Sequence, residues 1–597
     1  MSRNLIALQQ KLLGSGDNAF QRLQRLSSEG KLSEDALRQL AADSGLPGSY
    51  LTSLASFYDD FRVRGAGQHV LRICRGSACY ACGGEELLAG FEQALGITEG
   101  ETSADRTVTL TSVNCLGFCG VGPAIECDGV CVKAPAVASI NEFIRESVLR
   151  SPALEKEAPD QSSVVRPLTP LLRNHVADQA CFGAPTIALR NVARSPQDFD
   201  SARAAGIYES FQNMLSGMTP EQVIHLIEKS ALRGRGGDGV ETGLKLRKVF
   251  EAQGRPKYVV VNGNEGDPGS YIDKELIEHD PHSILEGLLI AAFAVGATEA
   301  YIYICGEYKD AFRIMDRALT QTRDSGMLGR RSVSKNRISP GFQPKISLVK
   351  GAGAYICGEQ TALLRSIEGL PPLVSASTSL HENGLYDLPT LVINVETLQN
   401  LPWILRHGAA AYAAIGSGKS RGTKAVSLSS RFARPGVYEV PFGVSLRQLV
   451  EEVGGGVAAG HRFKALQIGG PLGGIFPESL LDTPFTFEGL AEAGGHLGHG
   501  GVVLFTDEID MLDLARHAME FCALESCGKC VPCRMGSFHG VELLRRMRTE
   551  AVPADRVATL KLLKELMETM RYASLCGLGS ATPNPVESIF KYFLDEA

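Results

Sequence analysis

The grouping of the cysteines constrains the fold of this 597-residue chain more than any other feature. Of 15 cysteines, seven lie between positions 74 and 131 and five between 522 and 576, and only Cys181, Cys305 and Cys357 lie between these groups. In a reducing compartment, grouped cysteines are metal ligands more often than disulfides. We therefore expect two metal-binding ends that flank a nearly cysteine-free middle.

Length, charge and hydropathy exclude several classes of protein. A chain of this length exceeds one hydrophobic core, so several domains are expected. With 60 basic and 67 acidic residues, the net charge of −7 indicates neither nucleic acid nor an anionic membrane as a partner. The first 20 residues have an amphipathic helical pattern without the features of a signal peptide. The longest apolar run, 284–297, contains Glu286 and is too short to span a bilayer. These features predict a cytoplasmic protein without membrane insertion.

The first cysteine group contains a C-x4-C pair, Cys74 and Cys79, and a C-x3-C pair, Cys115 and Cys119. Each pair follows a predicted strand, so four thiolates lie on paired loops. Such loops suit a [2Fe–2S] cluster, and the small residues within them allow backbone N–H groups to approach the sulfurs. Zinc is the alternative, although it more often takes C-x2-C knuckles. The remaining thiols of this group have no assigned role: Cys82, Cys127 and Cys131.

The second cysteine group contains "ESCGKCVPCR", with Cys527, Cys530 and Cys533 at C-x2-C-x2-C spacing. Three such cysteines can occupy three corners of a [4Fe–4S] cubane, and the distant Cys576 can complete it. A structural zinc with four cysteines is the alternative. Cys522, on the preceding helix, has the pattern of a small buried hydrophobic residue.

Apolar periodicity predicts a multidomain α/β fold. Three short, mostly apolar strands in the middle of the chain alternate with helices, which favours a largely parallel sheet. The predicted order is a helical N-terminus (1–65), a small α/β unit (66–148), a linker (149–170), an α/β domain (171–423), a small strand-rich domain (424–506) and a helical C-terminus (507–597).

A glycine-rich loop, "LRGRGGDGVETGLK" at 232–245, is typical of phosphate binding. Glycines let backbone N–H groups approach a ligand, and Arg235 and Lys245 can neutralise its charge. The preceding segment, 219–232, has the pattern of a helix that starts at Thr219. In an ordinary dinucleotide-binding fingerprint a strand precedes the glycines, so this loop is not the usual glycine loop of a Rossmann fold.

Five motifs in their order resemble the flavin-carrying subunit of respiratory complex I. That family includes the diaphorase subunits of NAD-reducing hydrogenases and formate dehydrogenases. The motifs are the glycine loop, "NGNEGDPGSYIDKELIEHDPH", "GAGAYICGEQTAL", "INVETL" and "ESCGKCVPCR". Residues 1–148 resemble the partner subunit of the same enzymes, which is helical at the start and then thioredoxin-like with one [2Fe–2S] cluster. The chain therefore resembles a fusion of the two subunits.

The resemblance implies a Rossmann-like FMN domain, a β-grasp domain at 424–506 and a C-terminal helical [4Fe–4S] domain. It also implies an NADH:acceptor oxidoreductase that passes a hydride from NADH to flavin N5 and then single electrons through the clusters. The implied partners are other redox subunits, such as a hydrogenase or formate dehydrogenase. Matching positions predict ten FMN residues: Gly234, Arg235, Gly236, Gly237, Lys245, Asn262, Glu265, Gly358, Glu359 and Asn394. Three further positions are candidates for NAD(H): Gly239, Asp267 and Gln360.

The chain departs from the family pattern on the nucleotide side. Val240 stands where the family usually has phenylalanine, and Leu246 where it has an aromatic residue. A family segment rich in Arg, Pro and Phe is replaced by 370–384, which has no Arg, Lys or Phe. Stacking of a base on an aromatic ring is worth roughly 1–3 kcal/mol in nucleic-acid binding. We therefore expect weaker contacts to the adenine of NADH.

Three departures lie on the flavin side. Asn264 replaces an expected aspartate, Gln360 an expected glutamate and Ile393 an expected asparagine. Two negative charges are thus missing near the cofactor, so we expect a higher flavin potential than in the diaphorases.

Three functional hypotheses follow. In the first, the chain is an NADH-linked diaphorase, which Glu265, Asp267 and Glu359 favour. In the second, the nicotinamide site is degenerate and the chain is an FMN and iron–sulfur electron hub of a larger complex, including a bifurcating one. In the third, it is a structural subunit, against which the retention of eight cluster cysteines argues. The sequence leaves NADH and NADPH both open.

Overall fold

The computed structural model describes residues 18–61, 66–149, 184–327, 342–376, 379–549 and 552–593. From residue 150 onward the predicted linker lies outside these ranges, as do the first 17 residues and Cys181. No helix in the described ranges is long and apolar enough to cross a membrane. The predicted multidomain α/β fold is confirmed.

The N-terminal part is helical, and its apolar face packs on the middle of the chain. Asn18 begins the first helix with a capping box to Gln21. Phe20, at 1% exposure, packs with residues of the central sheet such as Val260. The helices are Ala19–Ser28, Glu34–Ser44 and Gly48–Phe57.

A four-stranded sheet follows within residues 66–149. Its strands are β1 (His69–Cys74), β2 (Val108–Val113), β3 (Ala124–Cys127) and β4 (Val130–Lys133). Their order is β2-β1-β3-β4, with β1 and β2 parallel and the other pairs antiparallel. The helices are Ser77–Tyr80, Gly84–Leu95 and Ile140–Phe143, with a single turn at Val137–Ser139 and a π-helical extension at Ile144–Val148. The cysteine loops leave the carboxyl ends of β1 and β2.

The middle of the chain forms a parallel sheet covered by helices, as predicted. Its strands are β5 (Tyr258–Gly263), β6 (Glu299–Ile304), β7 (Lys345–Lys350) and β8 (Thr390–Asn394). Their order is β7-β6-β5-β8 with every pair parallel, so β5 and β8 end side by side. A ligand site is expected where parallel strands end.

The helices around this sheet include a pair that flanks the glycine loop, Pro220–Ser230 before it and Thr242–Glu251 after it. The α-helices are Phe199–Ala204, Glu209–Gly217, Ile272–His279, Pro281–Val295, Lys309–Asp324, Gln360–Ile367, Leu380–Asn383, Val395–His407 and Ala409–Ala413. Single turns lie at Val192–Arg194, Tyr355–Gly358 and Leu385–Asp387. The loop therefore opens after a helix, as its sequence predicts.

The strand-rich part contains a short hairpin and a five-stranded sheet. The hairpin consists of β9 (Gly416–Ser417) and β10 (Ser420–Arg421). The sheet consists of β11 (Thr423–Leu428), β12 (Gly436–Pro441), β13 (Phe463–Ile468), β14 (Gly474–Phe476) and β15 (Gly501–Thr506), in the order β12-β11-β15-β13-β14. Helical segments lie at Leu446–Gln448, Leu449–Val453, Gly470–Leu472, Glu478–Leu480 and Phe487–Glu492.

The C-terminal part is a helical bundle in which glycines allow close packing. A Cβ atom on Gly540 would lie 2.9 Å from Met519, and one on Gly536 would lie 2.5 Å from Met570. The helices are Met511–Glu525, Val531–Thr549, Pro553–Ala573, Gly577–Ala581 and Pro583–Tyr592.

Candidate functional site

A cleft of about 880 Å³ opens at the carboxyl ends of β5 and β8. The glycine loop and the ends of both strands form one side of it, and the start of the helix Gln360–Ile367 adjoins them. Turns of the strand-rich part, at Gly469 and His499, and residues 575–578 of the bundle close it. The volume falls in the usual range for a cofactor or small-molecule site.

Eight of the ten residues predicted to bind FMN line this cleft: Gly234, Gly236, Gly237, Lys245, Asn262, Gly358, Glu359 and Asn394. The backbone at Gly236 approaches Asn394 so closely that an added Cβ atom would lie 2.9 Å from the Cβ atom of that residue. Gly237 has a φ of +103°, which favours glycine. The loop therefore presents backbone to the cleft, which fits a phosphate-bearing cofactor.

Hydrogen bonds hold the polar lining in place. The amide of Asn262 donates to the carbonyl of Gly358 at 2.9 Å and ties the end of β5 to the facing loop. Glu359 caps the helix Gln360–Ile367 by accepting from the N–H of Ala362 at 2.9 Å. Lys245 forms an ion pair of 2.8 Å with Asp238 at the rim of the loop.

The structure places Arg235 differently from the prediction. Its side chain is fully buried and does not line the cleft. The guanidinium donates to the hydroxyl of Tyr412 at 2.6 Å and to the carbonyl of Arg421 at 2.7 Å, and it stacks on Phe442. The predicted phosphate contact of this side chain is therefore wrong. Arg235 anchors the glycine loop to the elements behind it.

Glu265 also lies behind the cleft and does not line it. Its carboxylate accepts from the N–H of Ile272 at 2.7 Å and of Lys274 at 3.1 Å, and from the hydroxyl of Ser270 at 2.6 Å. Burial, reinforced by Asp273, raises the pKa of Glu265. The predicted contact of Glu265 with FMN has no counterpart in the cleft lining. It holds the start of the helix Ile272–His279 against the site.

Two of the three positions predicted for NAD(H), Asp267 and Gln360, line the cleft. Asp267 accepts from the hydroxyl of Tyr355 at 2.7 Å. Gly239 lies outside the lining, and a Cβ atom there would meet Phe487 at 2.9 Å, so its role is close packing. The NAD(H) contact of Gly239 stays a prediction.

The departures from the family pattern have different structural consequences. Leu246 is 1% exposed and belongs to the core, so its position cannot stack a base in the cleft. That interpretation of Leu246 is wrong. Val240 is 42% exposed. The 370–384 segment does contribute to the lining, through residues such as His381. Among the described lining residues, Tyr355 is the only Phe, Tyr or Trp.

The four predicted cluster ligands of the first cysteine group come together. Cys74 ends β1, and the Sγ atoms of Cys115 and Cys119 lie 3.6 Å apart after β2. A hydrogen bond from Cys79 lowers the pKa of Cys74. The N–H of Gly117 points at the sulfur of Cys115, and that of Gly269 points at the sulfur of Cys119, both at 3.3 Å. Buried thiols with backbone donors suit an iron–sulfur cluster.

The cysteines of the second group surround the start of the helix Val531–Thr549. Cys533 lies in its first turn, and Cys576 precedes the helix Gly577–Ala581 and lines the cleft. Cys527, Cys530 and Cys576 pack against one small apolar cluster that also includes Cys533. In the described part of the chain, no three His, Cys, Asp or Glu side chains converge as ligands of a single ion.

Sequence reasoning missed a buried pair beside the cleft, Asp273 and His499. The Nε2 atom of His499 lies 3.0 Å from the carboxylate of Asp273, and Asn394 donates to the same oxygen at 2.6 Å. Asp273 lies within a motif of the resemblance, but nothing in its own neighbourhood links it to a residue 226 positions away.

Three family models match successive parts of the chain. Residues 18–148 match the thioredoxin-like [2Fe-2S] ferredoxin family. Residues 227–403 match the Nuo51 FMN-binding domain. Residues 513–597 match the NADH-ubiquinone oxidoreductase-F iron-sulfur binding region.

Curated relatives share more than a third of their aligned residues with the chain. The NADP-reducing hydrogenase subunit HndC of Solidesulfovibrio fructosivorans is 39% identical over 419 residues, which are 69% of this chain and 82% of the relative. The second F-type subunit of the NADH-quinone oxidoreductase of Rhizobium meliloti is 39% identical over 66% of this chain and 92% of its own length. The F-type subunit of the Escherichia coli enzyme is 37% identical over 68% of this chain and 89% of its own length.

A solved structure extends the likeness to nearly the whole chain. The air-oxidized NAD+-reducing [NiFe]-hydrogenase contains a chain that matches with a TM-score of 0.80 and 26% identity. The match covers 97% of this chain and 92% of that chain. The predicted fusion of two subunit types therefore has a counterpart among solved structures.

Proposed function

The chain belongs to the family of the F-type subunits of NADH-quinone oxidoreductase, and from this premise we propose that it exchanges electrons directly between NAD(H) and FMN in the cleft. Members of this family are oxidoreductase subunits that transfer electrons within larger complexes, and the chain carries the FMN and iron–sulfur domains of that family. One observation carries the proposal: a single cleft joins the glycine loop, the ends of two parallel strands and Cys576.

The residues of the cleft have separable tasks in this proposal. Bound FMN exchanges two electrons with a nicotinamide and single electrons with iron–sulfur clusters. The backbone of Gly236 and Gly237 and the side chain of Lys245 hold the phosphate. Asn262 and Asn394, each fixed by hydrogen bonds, position the ring system. Asp267 and Gln360 lie where the nucleotide would enter.

We assign the [2Fe–2S] cluster to Cys74, Cys79, Cys115 and Cys119, and the [4Fe–4S] cluster to Cys527, Cys530, Cys533 and Cys576. The presence of Cys576 in the cleft lining supports electron passage from the flavin to the [4Fe–4S] cluster. The predicted domain boundaries, near 65, 148, 170, 423 and 506, form part of this proposal. Reduced thiolate ligands are consistent with a cytoplasmic location.

The bundle also has a candidate partner face. Nine large apolar side chains between 524 and 575 are exposed, among them Phe538 at 64% and Met535 at 41%. Three of them, Val531, Met535 and Phe538, lie on the helix Val531–Thr549, on which four arginines and one glutamate are also exposed. This face suits an acidic surface of a redox subunit that takes or supplies single electrons.

A second function remains supported by one observation. Tyr355 is the only large aromatic ring among the described lining residues, so a base has few surfaces on which to stack. In this alternative the nicotinamide site is degenerate, and the chain is an FMN and iron–sulfur hub inside a larger complex.

Anaerobic reduction tests the two functions. Purified, FMN-loaded protein receives NADH or NADPH while flavin bleaching and cluster reduction are followed by absorbance, with dithionite as the positive control. Rapid bleaching by a nicotinamide establishes the diaphorase and its nucleotide preference. Bleaching by dithionite alone contradicts direct NAD(H) use and supports the hub.

A further inference from the structure

His499 lies on a turn that is built to hold it at the cleft. Its neighbours Gly498 and Gly500 have φ angles of +54° and +93°, a backbone region that favours glycine. A Cβ atom on Gly500 would lie 2.8 Å from the amino group of Lys424, which itself donates to the carbonyl of His499 at 2.8 Å. The backbone around His499 therefore cannot shift freely.

The imidazole of His499 is engaged on one side and free on the other. Its Nε2 atom lies 3.0 Å from Asp273. Within the described residues, its Nδ1 atom makes no hydrogen bond and is not sealed from solvent, and His499 lines the cleft beside Gly498 and Asn394. A ring held in this way can donate its second N–H to a ligand in the cleft.

The groups around His499 favour its charged form. Burial lowers the pKa of His499, but the carboxylates of Asp273, Glu265 and Asp267 together outweigh burial and raise this pKa to about 9. The amino group of Lys424 is paired with Glu396. On the same loop, burial lowers the pKa of His496. At neutral pH, His499 therefore places a positive charge at the cleft wall.

The stability of the fold alone does not explain why Asp273 and His499 are paired in the interior. Asp273 is fully buried, and its Oδ1 atom makes no hydrogen bond within the described residues, which is a costly arrangement in a protein interior. Such groups persist where a site uses them. The pair lies beside the predicted FMN residue Asn394, whose amide also donates to Asp273.

We propose that His499 is a positioning residue for FMN, held by Asp273 and Asn394 so that its Nδ1–H and its positive charge face the bound flavin. This inference rests on the proposed binding of FMN in the cleft. Reduction adds two electrons and one proton to the flavin ring and so adds one negative charge. A fixed cation in a site of low dielectric constant stabilises that charge, so His499 raises the flavin midpoint potential.

The test is redox potentiometry of the FMN-loaded full chain between about pH 6 and about pH 10, where histidine charge can change. We compare the wild type with His499→Asn and with the matched control His407→Asn, whose residue stacks on Trp403 outside the cleft lining. At neutral pH the midpoint potential of His499→Asn is expected to lie below that of both other proteins. The difference is expected to shrink above about pH 9 as the wild type loses the charge.

Measured FMN content separates the two ways in which the test can fail. A wild type that binds no FMN contradicts the proposed function. Bound FMN with equal potentials for the wild type and His499→Asn at every pH overturns this inference alone. If His499→Asn does not fold, His499→Gln replaces it, because it also removes the positive charge and keeps Asp273 in place. A lower potential of His499→Gln at neutral pH supports the inference, and an unchanged potential rejects it.

Discussion

Asn264 offers the most direct residue-scale test of charge near the flavin. It lines the cleft and is 5% exposed, so a carboxylate there would be poorly screened. One full charge nearby is worth about 1–4 kcal/mol at effective dielectric constants between those of water and ~20. We expect Asn264→Asp to lower the flavin midpoint potential in a redox titration. Gln253→Glu, which adds the same charge on the exposed surface, serves as the control. The hypothesis fails if the Asn264→Asp potential does not move downward.

Gly236 tests the close approach of the loop backbone. A Cβ atom there would lie 2.9 Å from Asn394, so the loop or the asparagine must move. We expect Gly236→Ala to weaken FMN binding about tenfold or more, equivalent to about 1.4 kcal/mol, as measured by fluorescence titration of the apoprotein. Gly217→Ala is the matched control, because a Cβ atom at Gly217 meets nothing within 4 Å. Equal FMN affinities of the two variants would refute the close-approach argument.

Single residues also mark the limit of what the sequence predicts. The glycine loop and its lysine line the cleft because their neighbours in the chain determine the local backbone. Arg235 has the same local context, yet its guanidinium donates to Tyr412, which is 177 positions away. Leu246 fails for a similar reason, since helix rotation rather than residue type turns it into the core. The direction in which a side chain points depends on tertiary packing, which the local sequence pattern does not encode.

At the scale of elements, cysteine spacing predicted which loops meet, because two of them leave neighbouring parallel strands.

Cys576 tests the assignment of the second cluster. It comes from a helix start that is distant in sequence from the other three ligands, and it also borders the cleft. We expect Cys576→Ser to lose most of the [4Fe–4S] signal and to keep the [2Fe–2S] signal in the electron paramagnetic resonance spectrum of the reduced protein. Cys82→Ser, at an unassigned half-buried thiol, should keep both signals. Retention of a full [4Fe–4S] signal in Cys576→Ser would reassign the fourth ligand.

The helix Val531–Thr549 tests the partner face. Phe538 is 64% exposed, so Phe538→Asp costs little stability but places a negative charge where we expect an acidic partner. We expect fewer iron–sulfur subunits to co-purify, as measured by quantitative mass spectrometry, with unchanged reduction of a small artificial acceptor. Val137→Asp, at a similarly exposed apolar residue far along the chain, is the control. If as many iron–sulfur subunits co-purify with Phe538→Asp as with the wild type, the partner binds another face of the protein.

At the scale of the whole molecule, the order of the motifs predicted the architecture, but the contacts between its parts were beyond sequence reasoning. The [2Fe–2S] region meets the bundle through stacking of Tyr80 on His517, with ring centroids 4.2 Å apart. Asn114, next to a cluster cysteine, donates to Glu525, which also accepts from the N–H of Tyr355. These contacts join side chains that are separated by hundreds of positions, so no local sequence pattern predicts them. They show that the [2Fe–2S] region contacts the bundle directly and that Glu525 links it to Tyr355, a residue of the cleft lining.

Separate positions of the two cysteine groups around the FMN region predict how many electrons the chain accepts when one cluster is absent. The N–H of Gly269 reaches the sulfur of Cys119 from the strand-end loop of the FMN region, whereas Cys576 borders the cleft from the opposite part of the chain. We therefore expect each cluster to assemble and to be reduced without the other. Titration with dithionite should deliver about four electrons to the wild type, two to FMN and one to each cluster. We expect Cys79→Ser to accept about three, with normal reduction of both the flavin and the [4Fe–4S] cluster. Loss of [4Fe–4S] reduction in this variant would mean that the second cluster depends on the first cysteine group.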